Sequence, residues 1–174
     1  RVESGSGERG IFNREACKSI AEMSGRRDAN QEFGCNPCSE ISLRPMQFCN
    51  LSEVVVRATD DIAAIEKKVR LATILGTIQS TFTYFPYLRK AWKDNTEEER
   101  LLGVSLTGIM DNPLLTTQNE ALANTLNHLR QLAVKTNKEW AERLEIPAST
   151  AITCVKPSGT VSQLVDSASG LHPR

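Results

Sequence analysis

Apolar side chains recur along this chain with helical period in three places and as short unbroken runs in two. Residues 11–23 place Ile11, Phe12, Ala16, Ile20 and Met23 at helical spacing, which predicts a helix that buries this stripe. A second helix is predicted over 60–83, with Thr59 or Asp60 as cap and a stripe of Ile62, Ile65, Val69, Ala72 and Leu75 or Ile78. The longest helix is predicted over 117–144, where Leu122, Leu126, Leu129, Leu132, Ala133, Thr136 and Trp140 form one broad face and His128 is a surface or packing residue. The apolar run 101–110 predicts a buried strand, its Gly103 and Gly108 allowing close packing. Residues 148–155 are β-branched and apolar enough for another strand. Long helices alternating with short apolar strands define an α/β fold class.

The intervening segments are polar or broken. Residues 1–10 are rich in glycine and serine and read as a loop, and 25–33 as a charged connection. Residues 81–87 are β-branched and aromatic but run into proline, so they read as a helix end or a short strand, with the aromatic rings in the core. The carboxylates of 95–100 are placed at a helix or turn start, where they complement the helix dipole.

One stretch carries chemistry. Asn36, Cys38 and Glu40 stand at i, i+2 and i+4, and Pro37 biases Asn36 away from the α region. Ile41 and Leu43 alternate with Ser42, so an extended segment is predicted with the amide, thiol and carboxylate on the face opposite Ile41 and Leu43. Such a trio suits removal of a hydroxyl proton beside a reactive thiol. Cys35 and Cys38 also form a C-x-x-C pair, for which redox, metal and buried structural roles stay open on the residues alone. A cysteine hydrolase lacks a convincing histidine. Cys17, inside the first predicted helix, reads as a small half-buried side chain. After the 148–155 strand, Lys156-Pro157-Ser158-Gly159-Thr160-Val161 offers a tight turn with two hydroxyls and backbone amides; alone it fits a helix cap or a phosphate site.

Composition narrows the setting. With 40% apolar and 24% charged residues the chain has the make-up of a soluble globular domain. Its 21 basic and 21 acidic residues cancel, so no global field draws it to nucleic acid or to an anionic membrane. The five cysteines show no disulfide framework, and no secretory signal or long apolar span is present, which points to a reducing cytoplasm. No metal site is expected.

Four ordered blocks carry a family resemblance: Asn-Pro-Cys-Ser-Glu-Ile at 36–41, Phe-Cys-Asn-Leu-Ser-Glu-Val at 48–54, Leu-Leu-Gly-Val-Ser-Leu-Thr-Gly-Ile-Met-Asp at 101–111 and Lys-Pro-Ser-Gly-Thr-Val-Ser-Gln-Leu at 156–164. With Gly-Glu-Arg-Gly-Ile-Phe-Asn-Arg-Glu at 7–15, the chain resembles ribonucleotide reductase, specifically the adenosylcobalamin-dependent class II enzyme. The spacing of Cys38 and Cys49 resembles class II; the iron-dependent class I large subunit is the alternative, and a thiol-redox C-x-x-C domain a more distant one. Glu40 argues against the glycyl-radical class.

The resemblance implies a ten-stranded α/β barrel of two parallel halves with the radical cysteine on an inner finger loop. Residues 1–174, starting without methionine, are then expected to be a central piece of that catalytic domain, inactive alone. It further implies reduction of ribonucleoside di- or triphosphates to deoxyribonucleotides. A radical from adenosylcobalamin, held mainly by regions outside this chain, takes the hydrogen atom of Cys38, and the thiyl takes the ribose 3′ hydrogen. Glu40 takes the 3′ hydroxyl proton and Asn36 holds the ribose. Cys49, with a partner upstream of this chain for which Cys17 is no convincing substitute, delivers electrons replenished by a thioredoxin-type reductant. Pro157, Ser158, Gly159, Thr160 and Val161 match the substrate-phosphate turn.

Overall fold

The computed structural model describes residues 10–170 together with Glu3, Gly5 and His172. Most of the predicted 1–10 loop, and residues 7–9 of the first matched block, lie outside the described residues.

The centre of the fold is a parallel pair of strands, β3 (Asn50–Val55) and β4 (Leu102–Thr107), in register from Asn50 opposite Leu102 to Val55 opposite Thr107. Residues 151–154 run parallel along the other side of β4. There Leu102 N donates to Ala151 O at 3.0 Å, Val104 N to Ile152 O at 2.8 Å and Cys154 N to Val104 O at 3.0 Å. The strand predicted over 148–155 is therefore shorter than expected, being enclosed by Pro147 and Pro157, which donate nothing to a ladder.

Strand alternation gives this sheet two unlike faces. Ser52, Val54, Leu102 and Val104 turn toward two helices, α2 (Ile62–Gln79) and α5 (Glu120–Arg143), and with Val56, Ile65, Val69, Leu129, Ala133 and Ile152 they make the core. Leu51, Glu53, Gly103 and Ser105 turn the other way, in the register pairs Leu51 with Gly103 and Glu53 with Ser105. A Cβ built on Gly103 would stand 2.5 Å from Leu51 Cδ2, 3.0 Å from Ile41 Cδ1 and 3.2 Å from Cys154 Sγ, so only glycine lets these three groups meet over β4. The predicted close packing at Gly103 is thus observed. Gly108 instead lies just past the strand at φ 78°, where a Cβ would strike Val56 O at 2.2 Å.

The helices follow their caps. Asp61 accepts from Ala64 N at 2.8 Å to start α2, and Asn119 from Leu122 N at 2.9 Å to start α5, each a residue or more inside the predicted bounds. The buried face of α2 is rotated from the predicted stripe: Ile65 and Val69 are buried, but Thr73, Gly76 and Thr77 continue the face while Leu75 is exposed. The threonine hydroxyls donate back to the carbonyls of Val69 and Thr73 at 2.8 Å, which satisfies them without a partner helix. Asn137 of α5 donates to Thr77 Oγ1 and to Ser149 Oγ, both at 3.0 Å. His128 lies on the surface beside Glu66, as expected.

Three expectations are corrected. The helix of 11–23 forms as α1 (Arg14–Ser24), capped by Asn13, but Ile11, Ile20 and Met23 are exposed; Ala21 is its buried residue. Residues 81–87 form no strand, and Phe82, Tyr84 and Tyr87 are exposed, Tyr84 by 86%; Phe85 meets Phe48 edge-on at 5.1 Å. The carboxylates of 97–99 end a helix, α3 (Lys90–Glu99), rather than starting one. Two buried arginines against Glu99 outweigh the weaker dipole preference. Two short helices, α4 (Pro113–Thr116) and α6 (Gly159–Leu164), complete the order. No helix among the described residues is long and apolar enough to cross a membrane.

Candidate active site

The Asn36–Glu40 trio sits on a hairpin, not on an extended strand. Strands β1 (Gly34–Cys35) and β2 (Ser42–Leu43) pair antiparallel, and residues 36–39 close a β-turn through Ser39 N to Asn36 O at 2.9 Å. Asparagine at the first and proline at the second position are what such a turn favours, so Pro37 bends the chain where the i, i+2 spacing suggested extension. Asn36 secures the loop twice more, its N donating to Ile41 O at 3.3 Å and its Oδ1 accepting from Ile41 N at 3.1 Å. Ser39 takes the left-handed conformation at φ 64°. Cys38 is left exposed at the tip, and Ile41 is buried over Gly103.

A charged cluster ties this hairpin to the rest of the fold. The Arg27 guanidinium donates to both oxygens of Glu99 at 2.9 and 2.8 Å and to Ser42 O in β2 at 2.8 Å. Arg44, just after β2, stands 3.7 Å from the same carboxylate and 2.8 Å from Glu98, and Gln47 also donates to Glu99. Arg27 and Glu99 expose only 6% and 4% of their side chains. The segment 25–33 is thus a clamp as well as a connection, and the cue was its paired Arg26-Arg27.

Over the face carrying Leu51, Glu53, Gly103 and Ser105, the hairpin meets the segment that follows residue 154. Lys156 Nζ donates to Glu40 Oε1 at 3.3 Å; the Glu40 side chain is 0% exposed and that of Lys156 21%. Glu40 Oε2 is buried with no hydrogen-bond partner among the described residues. Burial alone would raise the Glu40 carboxyl, but its own backbone amide, the Asn36 side chain and the Lys156 ammonium outweigh that and hold it below its ordinary value. Glu40 is therefore a carboxylate, with one oxygen engaged and one free to take a proton.

Two more thiols feel this charge. Burial and then Glu40 raise Cys49 above its ordinary value, and burial, Glu40 and Cys49 together push Cys154 up to about 12. Both are thiols at neutral pH. All five cysteines are free, Cys17 is half-buried and accepts from Ser42 Oγ at 3.2 Å, and Cys35 lies 3.6 Å from Ser39 Oγ. Among the described residues no group of three His, Cys, Asp or Glu side chains is placed to hold a metal ion.

The 156–161 turn stands at the end of the same segment. Ser158 is buried at φ 56°, donating to Glu53 and accepting from Thr107 Oγ1 at 3.0 Å, so its hydroxyl faces the sheet. Gly159 and Thr160 are exposed, and the turn presents the Thr160 hydroxyl rather than two. Pro157 O accepts from Gly170 N at 3.2 Å. Thus Asn36, Cys38, Glu40, Cys49 and the turn come to one side of the sheet, from segments far apart in sequence. The sequence reading missed Lys156, Glu53 and Cys154 as members of this group. Lys156 was legible as the residue opening the turn, whereas Cys154 looked like any strand residue.

An α/β scaffold that gathers a tip thiol, a buried carboxylate and further thiols beside a glycine-containing turn defines a thiol–carboxylate site. No family model matches the chain. It is 30% identical over 201 aligned residues to the adenosylcobalamin-dependent ribonucleoside-triphosphate reductase of Levilactobacillus brevis, covering 96% of this chain and 26% of that protein. The enzymes of the same name from Lacticaseibacillus paracasei and Lactobacillus gasseri are 26% and 28% identical, with the same coverage. A crystal structure of B12-dependent class II ribonucleotide reductase matches the fold with a TM-score of 0.62 at 24% identity, over 78% of this chain and 22% of that one. The chain is therefore homologous to part of the adenosylcobalamin-dependent ribonucleotide reductases and spans about a quarter of the length of these relatives.

Proposed function

We propose that this chain carries part of the catalytic centre of a ribonucleoside-triphosphate reductase that works by thiyl-radical chemistry with adenosylcobalamin. The observation that carries the reading is the hairpin, which holds Asn36, Cys38 and Glu40 on one connecting loop with the tip thiol exposed and the carboxylate buried and ionised. The parallel strands β3 and β4 are read as part of the ten-stranded barrel of the class, with this hairpin as its finger loop.

Each residue then has a distinct task. When bound, adenosylcobalamin supplies the organic radical that takes the hydrogen atom of Cys38. An exposed thiol fits that role, since it needs access and no base; the groups that hold the corrin are assigned to parts of the longer relatives that this chain does not span. The Cys38 thiyl takes the ribose 3′ hydrogen, while Glu40 takes the 3′ hydroxyl proton at Oε2 and promotes loss of the 2′ hydroxyl, which leaves as water with a proton from the Cys49 thiol pair. Asn36 orients the ribose. Cys49 and a partner thiol outside this chain supply two electrons and become a disulfide, which a thioredoxin-type dithiol reduces. The exposed Gly159 and Thr160, with the first amides of α6, receive the substrate's phosphates, and the names of the relatives favour a triphosphate over a diphosphate.

The test uses the full-length protein with adenosylcobalamin, a ribonucleoside triphosphate and a dithiol. Deoxynucleotide forms with the unaltered protein and not with Cys38→Ser, which still binds the nucleotide. Product from Cys38→Ser at an undiminished rate would remove Cys38 from the chemistry.

A further inference from the structure

Lys156 is absent from the roles above, yet its placement is tightly constrained. The 151–154 segment beside β4 delivers it to the face that the hairpin covers, and its own carbonyl would lie 1.9 Å from a Cβ built on Gly170. Gly170 N donates to the next carbonyl, that of Pro157, at 3.2 Å. Its backbone is thereby wedged against the 168–170 segment, and the ammonium reaches across to Glu40 Oε1 at 3.3 Å. Among the described residues it is the cation that faces Glu40, Cys49 and Cys154 alike, and Glu53 and Cys38 face it in turn.

Resting on the reading of Glu40 as the proton acceptor, we propose that Lys156 is a positioning residue that pins one oxygen of the Glu40 carboxylate and leaves the other oxygen for the substrate. Without this cation the buried Glu40 carboxylate would keep only its backbone amide and the Asn36 side chain against the cost of burial, and would move toward the neutral acid, which cannot accept a proton. With Oε1 engaged by Lys156, the unpartnered Oε2 is the oxygen left for a ribose hydroxyl. The balance is simple: the hydroxyl proton moves to Oε2, the substrate keeps the electron pair, and the neutral carboxyl then loses its attraction for the ammonium. That ammonium favours return of the proton to solvent and resets the base.

The experiment compares the full-length protein with its Lys156→Met, Lys156→Gln and Lys156→Arg variants. Methionine keeps much of the apolar stem, glutamine supplies a second neutral replacement should methionine fold poorly, and arginine keeps the charge. Two readouts are taken: the pH profile of kcat/KM, and the protonation of Glu40 followed by its carboxylic-acid infrared band as a difference against Glu40→Gln. The neutral variants lose about 10- to 100-fold in kcat/KM near neutrality, with the acid limb moved to higher pH, and arginine restores most of the loss. Cleavage of the cofactor, which depends on Cys38, persists. The Glu40 band appears at higher pH in the neutral variants, and this readout needs no turnover. If the unaltered protein makes no deoxynucleotide, the functional reading fails while the infrared titration still decides the coupling. An unmoved acid limb together with an unmoved Glu40 band would overturn the proposal.

Discussion

Replacing Glu99 by glutamine tests the clamp that holds the hairpin. The neutral amide keeps the shape and some hydrogen bonds but removes the negative charge facing Arg27 and Arg44, each with 6% of its side chain exposed. Arg27 would lose its only ion-pair partner among the described residues, whereas Arg44 would keep Glu98, which is 66% exposed. Breaking a buried pair by removing one partner costs about 3–5 kcal/mol, because the remaining charge stays buried. For a chain of this size that lowers Tm by about 10 °C. The matched control is Glu98→Gln, whose exposed carboxylate contributes about 0–1 kcal/mol. Urea unfolding of the chain followed by circular dichroism should therefore separate the two neighbouring substitutions by several kcal/mol. Replacing Arg27 and Arg44 by methionine and Glu99 by leucine together should recover most of the loss, since the desolvation cost disappears with the charges. A Glu99→Gln loss no larger than that of Glu98→Gln would refute the buried-clamp argument.

Gly103→Ala should destabilise the chain by about 1–3 kcal/mol through overpacking against Leu51 and Ile41, and should loosen the hairpin; equal stability in thermal melts, with unchanged protection of the 34–43 amides from exchange, would contradict the close approach. In timed alkylation at pH 8 read by peptide mass spectrometry, exposed Cys35 and Cys38 should react first. Cys154 should react last, because at about 12 only about one part in 10⁴ is thiolate. Cys49→Ser in the full-length protein should still allow radical formation and 3′ hydrogen abstraction but release free base instead of deoxynucleotide; sustained deoxynucleotide yield with a dithiol would make Cys49 merely structural.

Local chemistry in the sequence was enough for three of the helices and strand β4, and it named much of the candidate site. Helix periodicity located α1, α2 and α5 to within a few residues, since spacing and caps are properties of neighbouring residues. The blocks around Cys38, Cys49 and 156–161 pointed to one enzyme class before any geometry was known, and the homologues agree. What local pattern could not supply was decided by packing. The i, i+2, i+4 spacing at Asn36, Cys38 and Glu40 fits an extended strand as well as a turn, and the β1–β2 pairing together with the Asn36–Ile41 hydrogen bonds selects the turn. Ile20 and Met23 of α1 and the rings of Phe82, Tyr84 and Tyr87 stay exposed, because burial depends on which elements arrive from elsewhere in the chain. Glu99 reads locally as one of a run of surface carboxylates, and only the arrival of Arg27, far away in sequence, makes it a buried counter-ion. The same holds for Lys156 and Glu40: their attraction is long-range in sequence and short-range in space, so tertiary structure alone could bring it into view.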